Sequence, residues 1–161
     1  MRIISGRYRS RLIQMPKRPL IRPTKDRIRE ALFNILGTSV IHASVLDAFA
    51  GSGAFGLEAL SRGADKVVFV DKEAACCATI GKNLEKLEIE KSYYQIMKLD
   101  TFEALNLFQR KGIRFSMVLL DPPYYRGIAK KCLIQLDCRD ILSQPCIIAV
   151  EHYKNDEMPE E

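Results

Sequence analysis

Along the 161 residues the spacing of apolar positions changes character twice. The opening stretch "RIISGRYRSRLIQM" alternates well enough to be a strand or hairpin that carries arginines, and "PKRPLIRPT", with three prolines, reads as an extended linker. Thr24 then offers an N-cap and Asp26 an acid in the first helical turn, where it favours the helix dipole. Ile28, Leu32, Ile35 and Leu36 follow at i, i+4, i+7 and i+8, which predicts one apolar helix face ending near Gly37 and leaves Arg27 and Glu30 off that face.

From Ser44 onward short apolar runs alternate with longer helical segments. "SVLDAF", "KVVFVD", "YYQIMKLD", "FSMVLLD" and "PCIIAVEH" read as five strands. Helices are expected over Gly53 to Arg62, Glu73 to Leu87, "TFEALNLFQRK" before Gly112, and Ile128 to Asp137. This alternation predicts an α/β fold, a doubly wound and mainly parallel sheet with right-handed crossovers, whose ligands collect at the carboxyl ends of the strands. Two parts are expected: a basic arm with its proline-rich linker over 1–23, and an α/β domain over 24–161.

Acids punctuate the predicted strand ends: Asp47, Asp71, Asp100 and Asp121. Four carboxylates around one rim repel one another unless the ligand is rich in donors or positive charge. Behind the first strand, "LDAFAGSGAFGLEAL" places Gly51, Gly53 and Gly56 at the spacing G-x-G-x-x-G. Such a strand-to-helix turn suits any nucleoside cofactor that lies close to backbone, so it does not by itself select a nicotinamide.

Charge adds a second feature. The net +5 hides an asymmetry: Arg2, Arg7, Arg9, Arg11, Lys17, Arg18, Arg22, Lys25, Arg27 and Arg29 face only Asp26 within residues 1–29, a local +9, so the remainder carries −4. A basic arm on a mildly acidic body fits a polyanionic partner, and arginine-rich composition suits phosphate forks. The five cysteines, Cys76, Cys77, Cys132, Cys138 and Cys146, have no paired C-x-x-C spacing and read as buried or half-buried thiols. His42 and His152 are too isolated to build a metal site. No apolar run reaches the roughly 18 residues of a membrane span, and a cytoplasmic monomer is expected.

"LLDPPYY", Leu119–Tyr125, is the most specific stretch. An Asp-Pro-Pro-Tyr turn gathers a carboxylate, a carbonyl and an aromatic face around one small volume, and the prolines stiffen it. That pocket suits a flat base with an exocyclic amine: Tyr124 stacks on the ring while the Asp121 carboxylate and the Pro122 carbonyl accept the two N–H bonds. An exocyclic amine is a poor nucleophile because its lone pair is delocalised, and two acceptors return density to nitrogen. Attack on a methyl sulfonium then needs mostly positioning.

Together "RIISGRYRSR", "RPTKDRIREALFNIL", "LDAFAGSGAFGLEALSRGA", "VDKE" and "LLDPPYYRG" resemble the RsmD-type ribosomal RNA methyltransferases, in order from Arg2 to about Glu151. The resemblance implies the class I S-adenosylmethionine-dependent methyltransferase fold and methylation of a guanine N2 in small-subunit ribosomal RNA, free or in the assembling small subunit. It implies that Asp47, Gly51, Ser52 and Gly53 lie under the methionine part of S-adenosylmethionine, with Phe49 and Ala50 also among the cofactor-binding residues. Asp71 would take the ribose hydroxyls and Asp100 the adenine amino group, with Lys72, Thr101 and Asp121 also among the cofactor-binding residues. Asp121, Pro122, Pro123 and Tyr124 would hold the guanine, with Arg22, Thr24 and Arg27 at the entrance and Arg2, Arg7, Arg9 and Arg11 on the RNA. The family's sheet closes with an antiparallel pair that does not follow "EHYKNDEMPEE", so the chain is expected to be C-terminally shortened. A DNA amino-methyltransferase shares the D-P-P-Y logic, a nicotinamide oxidoreductase shares the glycines, and a non-catalytic RNA-binding module shares the arm.

Overall fold

The computed structural model describes residues 1–16, 26–123, 127–152 and 158; Arg22, Thr24 and Tyr124, named above, lie outside the described residues. Five strands, β1 (Ser44–Asp47), β2 (Lys66–Asp71), β3 (Tyr94–Lys98), β4 (Phe115–Leu120) and β5 (Leu142–Val150), form one parallel sheet in the order β3-β2-β1-β4-β5. No antiparallel strand joins it among the described residues. Its central strands are buried on both faces, which is why they read as continuous Val/Leu/Phe runs rather than as alternating ones.

The crossover helices sort by face. Helices α2 (Ala54–Ser61) and α3 (Ala74–Lys86) cover one side of the sheet together with α1 (Asp26–Leu36), and α4 (Thr101–Lys111) and α5 (Ile128–Asp137) cover the other. The chain reverses direction across the sheet between β1 and β4, so the crevice above those two strand ends is the switch point where ligands collect in such sheets. Gly56 explains the tight seating of α2: a Cβ there would lie 2.3 Å from the Phe69 ring and 2.8 Å from Val67.

Three expectations need correcting. The buried stripe of α1 is Arg29, Phe33 and Leu36, while Ile28 and Ile35 are 45% and 83% exposed. Periodicity alone missed this because an arginine occupies the core position, held there by buried carboxylate chemistry. Strand β5 begins at Leu142, three residues before "PCIIAVEH", and slips register against β4 between Phe115 and Met117; Pro145, lacking an N–H, falls in that irregular stretch, as proline in sheets does. Of the five thiols, Cys138 is exposed, since it lies just past the end of α5.

The arginine-bearing N-terminus is folded onto the body. Arg2 and Leu12 form an antiparallel bridge around a turn, and Ile3 and Ile13 are buried in the same cluster as Phe33 and Leu57. Gln14 N–H donates to Asn83 Oδ1 at 2.7 Å, and Asn83 Nδ2 returns a bond to the Gln14 carbonyl at 3.0 Å.

Candidate active site

The rim is built by strand register. Asp47 ends β1 and pairs in level with Phe69 and Leu119, so Asp71 and Asp121 stand two residues farther along on the neighbouring strands. Two residues is one pleat, and all three project to the face covered by α1 and α2. Glu151 extends the row on β5: its N–H donates to the Leu120 carbonyl at 2.8 Å, directly beside Asp121.

Asp47 is the deepest of these groups at 1% exposure. Its Oδ2 accepts the Gly56 N–H at 2.9 Å, in the first turn of α2. Burial pushes its carboxyl up to about 7; the Gly56 bond opposes this, and the negative charges of Asp121 and Asp71 add to it. A carboxyl so placed is poised to meet a cation, which would supply the compensation that one amide does not.

The glycine turn leads from β1 into α2, the helix whose Gly56 binds that carboxyl. Gly51 and Gly53 adopt φ of 54° and 79°, left-handed values that a side chain resists, and Gly53 N–H closes the turn on the Ala50 carbonyl at 2.6 Å. Half-buried Asp71 clamps the turn from the next strand, its Oδ2 accepting Gly51 N–H and its Oδ1 Glu73 N–H, both at 2.8 Å. Phe49 is half-buried beside it, Ala50 and Ser52 are buried, and Lys72 is exposed. The Ser52 carbonyl accepts Asn83 Nδ2 at 3.2 Å, so one α3 side chain joins the glycine turn to the arm.

Asp100 departs from the row. It caps α4, accepting Phe102 N–H at 2.9 Å, while buried Thr101 donates its hydroxyl to the Ala48 carbonyl at 2.5 Å and so anchors α4 to the end of β1. After β4 come half-buried Asp121, buried Pro122 and exposed Pro123. The structure therefore brings Asp47, Asp71 and Asp121 together with the glycine turn.

The arm arginines lie elsewhere. Arg7 N–H bonds the Ser61 carbonyl at 2.7 Å and Tyr8 N–H bonds Ser61 Oγ at 2.9 Å. Ser61 ends α2, the helix that begins beside Gly53, so this attachment is about 12 Å of helix axis from the glycine turn. Arg2, Arg7, Arg9 and Arg11 are exposed, as is Arg27 on α1.

Beneath the arm lies a group that periodicity did not reveal. Glu58, 0% exposed, accepts Ile4 N–H on Oε2 at 2.8 Å, and on Oε1 both Ser5 N–H at 3.0 Å and Arg62 Nε at 2.8 Å. Buried Arg29 stands with Nε 3.7 Å from Glu58 Oε2, pairs with Asp26 at 3.2 Å, and donates to the Arg2 carbonyl. The signal was present: one acid inside "AFGLEALS", an otherwise uncharged helix whose eight residues are all buried. A second missed feature is a cleft of about 360 Å³ between α1, the start of α2 and the ends of β4 and β5, reaching Glu151 and His152.

Among the described residues no group of three or more His, Cys, Asp or Glu side chains could hold a metal ion, and no helix is long and apolar enough to cross a membrane. The parallel α/β sheet and its glycine turn at the switch point define a Rossmann-like methyltransferase fold. The solved structure of yhhF from Escherichia coli superposes with a TM-score of 0.86 at 35% identity, covering 99% of this chain and 84% of that one. At fold level the chain is similar to the SAM-dependent methyltransferase from Agrobacterium tumefaciens, with a TM-score of 0.66 at 23% identity over 83% of this chain and 46% of that one. The family model described as "Conserved hypothetical protein 95" matches residues 1–161, and the chain belongs to that family, the RsmD family. Ribosomal RNA small subunit methyltransferase D of Escherichia coli is 35% identical over 99% of this chain and 78% of its own length. YlbH of Bacillus subtilis is 36% identical over 99% of this chain and 86% of its own length.

Proposed function

We propose that this protein transfers a methyl group from S-adenosylmethionine to the exocyclic N2 of a guanine in small-subunit ribosomal RNA. The observation that carries the reading is the pairing of a buried, undercompensated Asp47 before the glycine turn with Asp121-Pro122-Pro123 at the adjacent strand end, in a chain 35% identical to a small-subunit ribosomal RNA methyltransferase. The residues fit the cofactor by chemistry: an acidic rim attracts a sulfonium and would repel a dinucleotide's pyrophosphate. When bound, the cofactor supplies a methyl whose carbon–sulfur bond breaks as the new nitrogen–carbon bond forms.

The chain's residues do the positioning. Asp47 and the Gly51–Gly53 backbone hold the sulfonium end, with Phe49, Ala50 and Ser52 shaping the same turn. Asp71, aided by Lys72, holds the ribose, and Asp100 with Thr101 borders the adenine. Asp121 and the Pro122 carbonyl accept the two N2 hydrogens, holding the nitrogen lone pair toward the methyl, and the Asp121 carboxylate is placed to receive the released proton. Pro123 stiffens the turn and Tyr124 stacks on the base. Arg22, Thr24 and Arg27 guide entry, while Arg2, Arg7, Arg9 and Arg11 contact phosphates and offset the few kcal/mol of base flipping.

The test is transfer of labelled methyl to small ribosomal subunits lacking the modification, followed by nucleoside digestion and chromatography. Label in N2-methylguanosine is expected. Label in methyladenosine would keep the pocket and overturn the base, and transfer to DNA in preference to RNA would move the protein among the DNA amino-methyltransferases.

A further inference from the structure

We infer that Glu151 is a specificity-determining residue that reads the N1–H of the target guanine, and that the cleft beside it receives the flipped base; this rests on the function proposed above. The cleft measures about 360 Å³, near the lower end of the roughly 300–1,000 Å³ typical of ligand sites, which suits one heterocycle. It is lined by Ile28 and Leu32 of α1 and Phe55 of α2, by Leu119 and Ala149 from the sheet, and by Glu151 and His152. Apolar walls suit the faces of a base. The Glu151 carboxylate in the lining suits a donor edge.

Register fixes which edge that is. Leu120 pairs with Val150, and Glu151 N–H donates to the Leu120 carbonyl at 2.8 Å, so Glu151 stands beside Asp121 with about one strand spacing, roughly 4.8 Å, between their backbones. Leu119 and Ala149 belong to the cluster under α1 and α2, and alternation puts Asp121 and Glu151 on that same face. Two adjacent carboxylates match the Watson–Crick edge of guanine, where the N2 amine and N1–H are neighbouring donors. Asp121 takes the amine and Glu151 takes N1–H. Adenine presents a bare N1 acceptor at that place, and a carboxylate repels it. The exposed position of Ile28, left unexplained by helix packing, follows as well, because it faces the cleft.

The experiment compares substrates carrying guanine or 2-aminopurine at the methylated position; 2-aminopurine keeps the amine and replaces N1–H by an acceptor. Wild-type protein is expected to prefer guanine by about 10- to 100-fold in kcat/KM, the range expected for one hydrogen bond to a charged group. Glu151→Gln, whose amide can donate, is expected to shrink that ratio at least about tenfold. The analogue's altered amine reactivity is common to both enzymes and cancels in the comparison. A wild-type protein that treats the two bases alike overturns the assignment, and needs no variant to fold. So does a Glu151→Gln ratio equal to the wild-type one. If wild-type protein forms no N2-methylguanosine, the proposed function itself fails and this inference falls with it; N2-methylguanosine with an unchanged ratio overturns Glu151 alone.

Discussion

Among the described residues two carboxylates, Asp47 and Glu58, are almost completely withdrawn from water, and their surroundings are opposite. Glu58 accepts two backbone N–H groups and an arginine Nε, with a second arginine beside it. Asp47 accepts one N–H and looks onto two further negative charges, and its carboxyl is pushed up to about 7. A buried charge whose partners come from the chain itself is a fastener, here tying the N-terminal arm to α1 and α2. A buried charge lacking such partners costs stability and persists where a ligand completes it.

The largest effect is expected where the fastener is cut. Among the described residues, Glu58→Ala leaves buried Arg29 with Asp26 alone for a countercharge and strips Ile4 and Ser5 of their acceptor; unfolding by denaturant should show a loss of about 3–5 kcal/mol. A loss below about 1 kcal/mol would dissolve the contrast with Asp47. Next, Asp121→Ala should lower methyl transfer by about 10²–10³-fold, the scale of removing one preorganised polar group from a transition state, while calorimetry still detects cofactor binding. Near-wild-type turnover would remove Asp121 from the chemistry.

Asp47 supplies the pH test. In the unfolded chain its carboxyl titrates near 4, and in the folded protein near 7. Between those values the native state binds the extra proton, so stability falls as pH rises through that window and the cost of burial is fully present above it. Asp47→Asn should therefore raise the melting temperature more at pH 8 than at pH 5. The wild-type preference for S-adenosylmethionine over its uncharged thioether product should strengthen from pH 6 to pH 8, by about tenfold at most, and the variant should lose that trend. A pH-independent preference in the wild-type protein would count against a sulfonium over Asp47.

The smallest change in stability belongs to the exposed arginines of the arm. Replacing Arg7, Arg9 and Arg11 by Ala should move stability by less than about 0.5 kcal/mol, yet weaken RNA binding and reduce the slope of log affinity against log salt by about 2–3. Binding unchanged across a salt titration would leave the arm with its structural role alone.

Strand and helix positions were legible because period and glycine placement are local properties: all five strands and the crossover helices fall where the pattern puts them, to within a few residues. Part of the site was legible for the same reason, since Asp47, Asp71 and Asp121 end strands that must lie side by side in a parallel sheet. Asp100 has a second part that the sequence did not show, because a strand-end acid and a helix N-cap look alike in sequence and only the Phe102 bond reveals the cap. Arg29 misled because helical periodicity counts apolar residues, and a paired arginine is invisible to it.

By itself the sequence determined the alternating α/β order, the glycine turn behind β1 and the placing of Asp121 at the end of β4, because each depends on residues close in the chain. Tertiary structure alone decided which carboxylates keep company with cations and which with each other. Glu58 meets residues more than fifty positions away in the arm, and Asp121 stands level with Glu151 through pairing of β4 with β5. Desolvation and charge neighbourhood are properties of packed space, so whether a buried acid serves as fastener or as binding group is settled only once the strands and helices have closed around it.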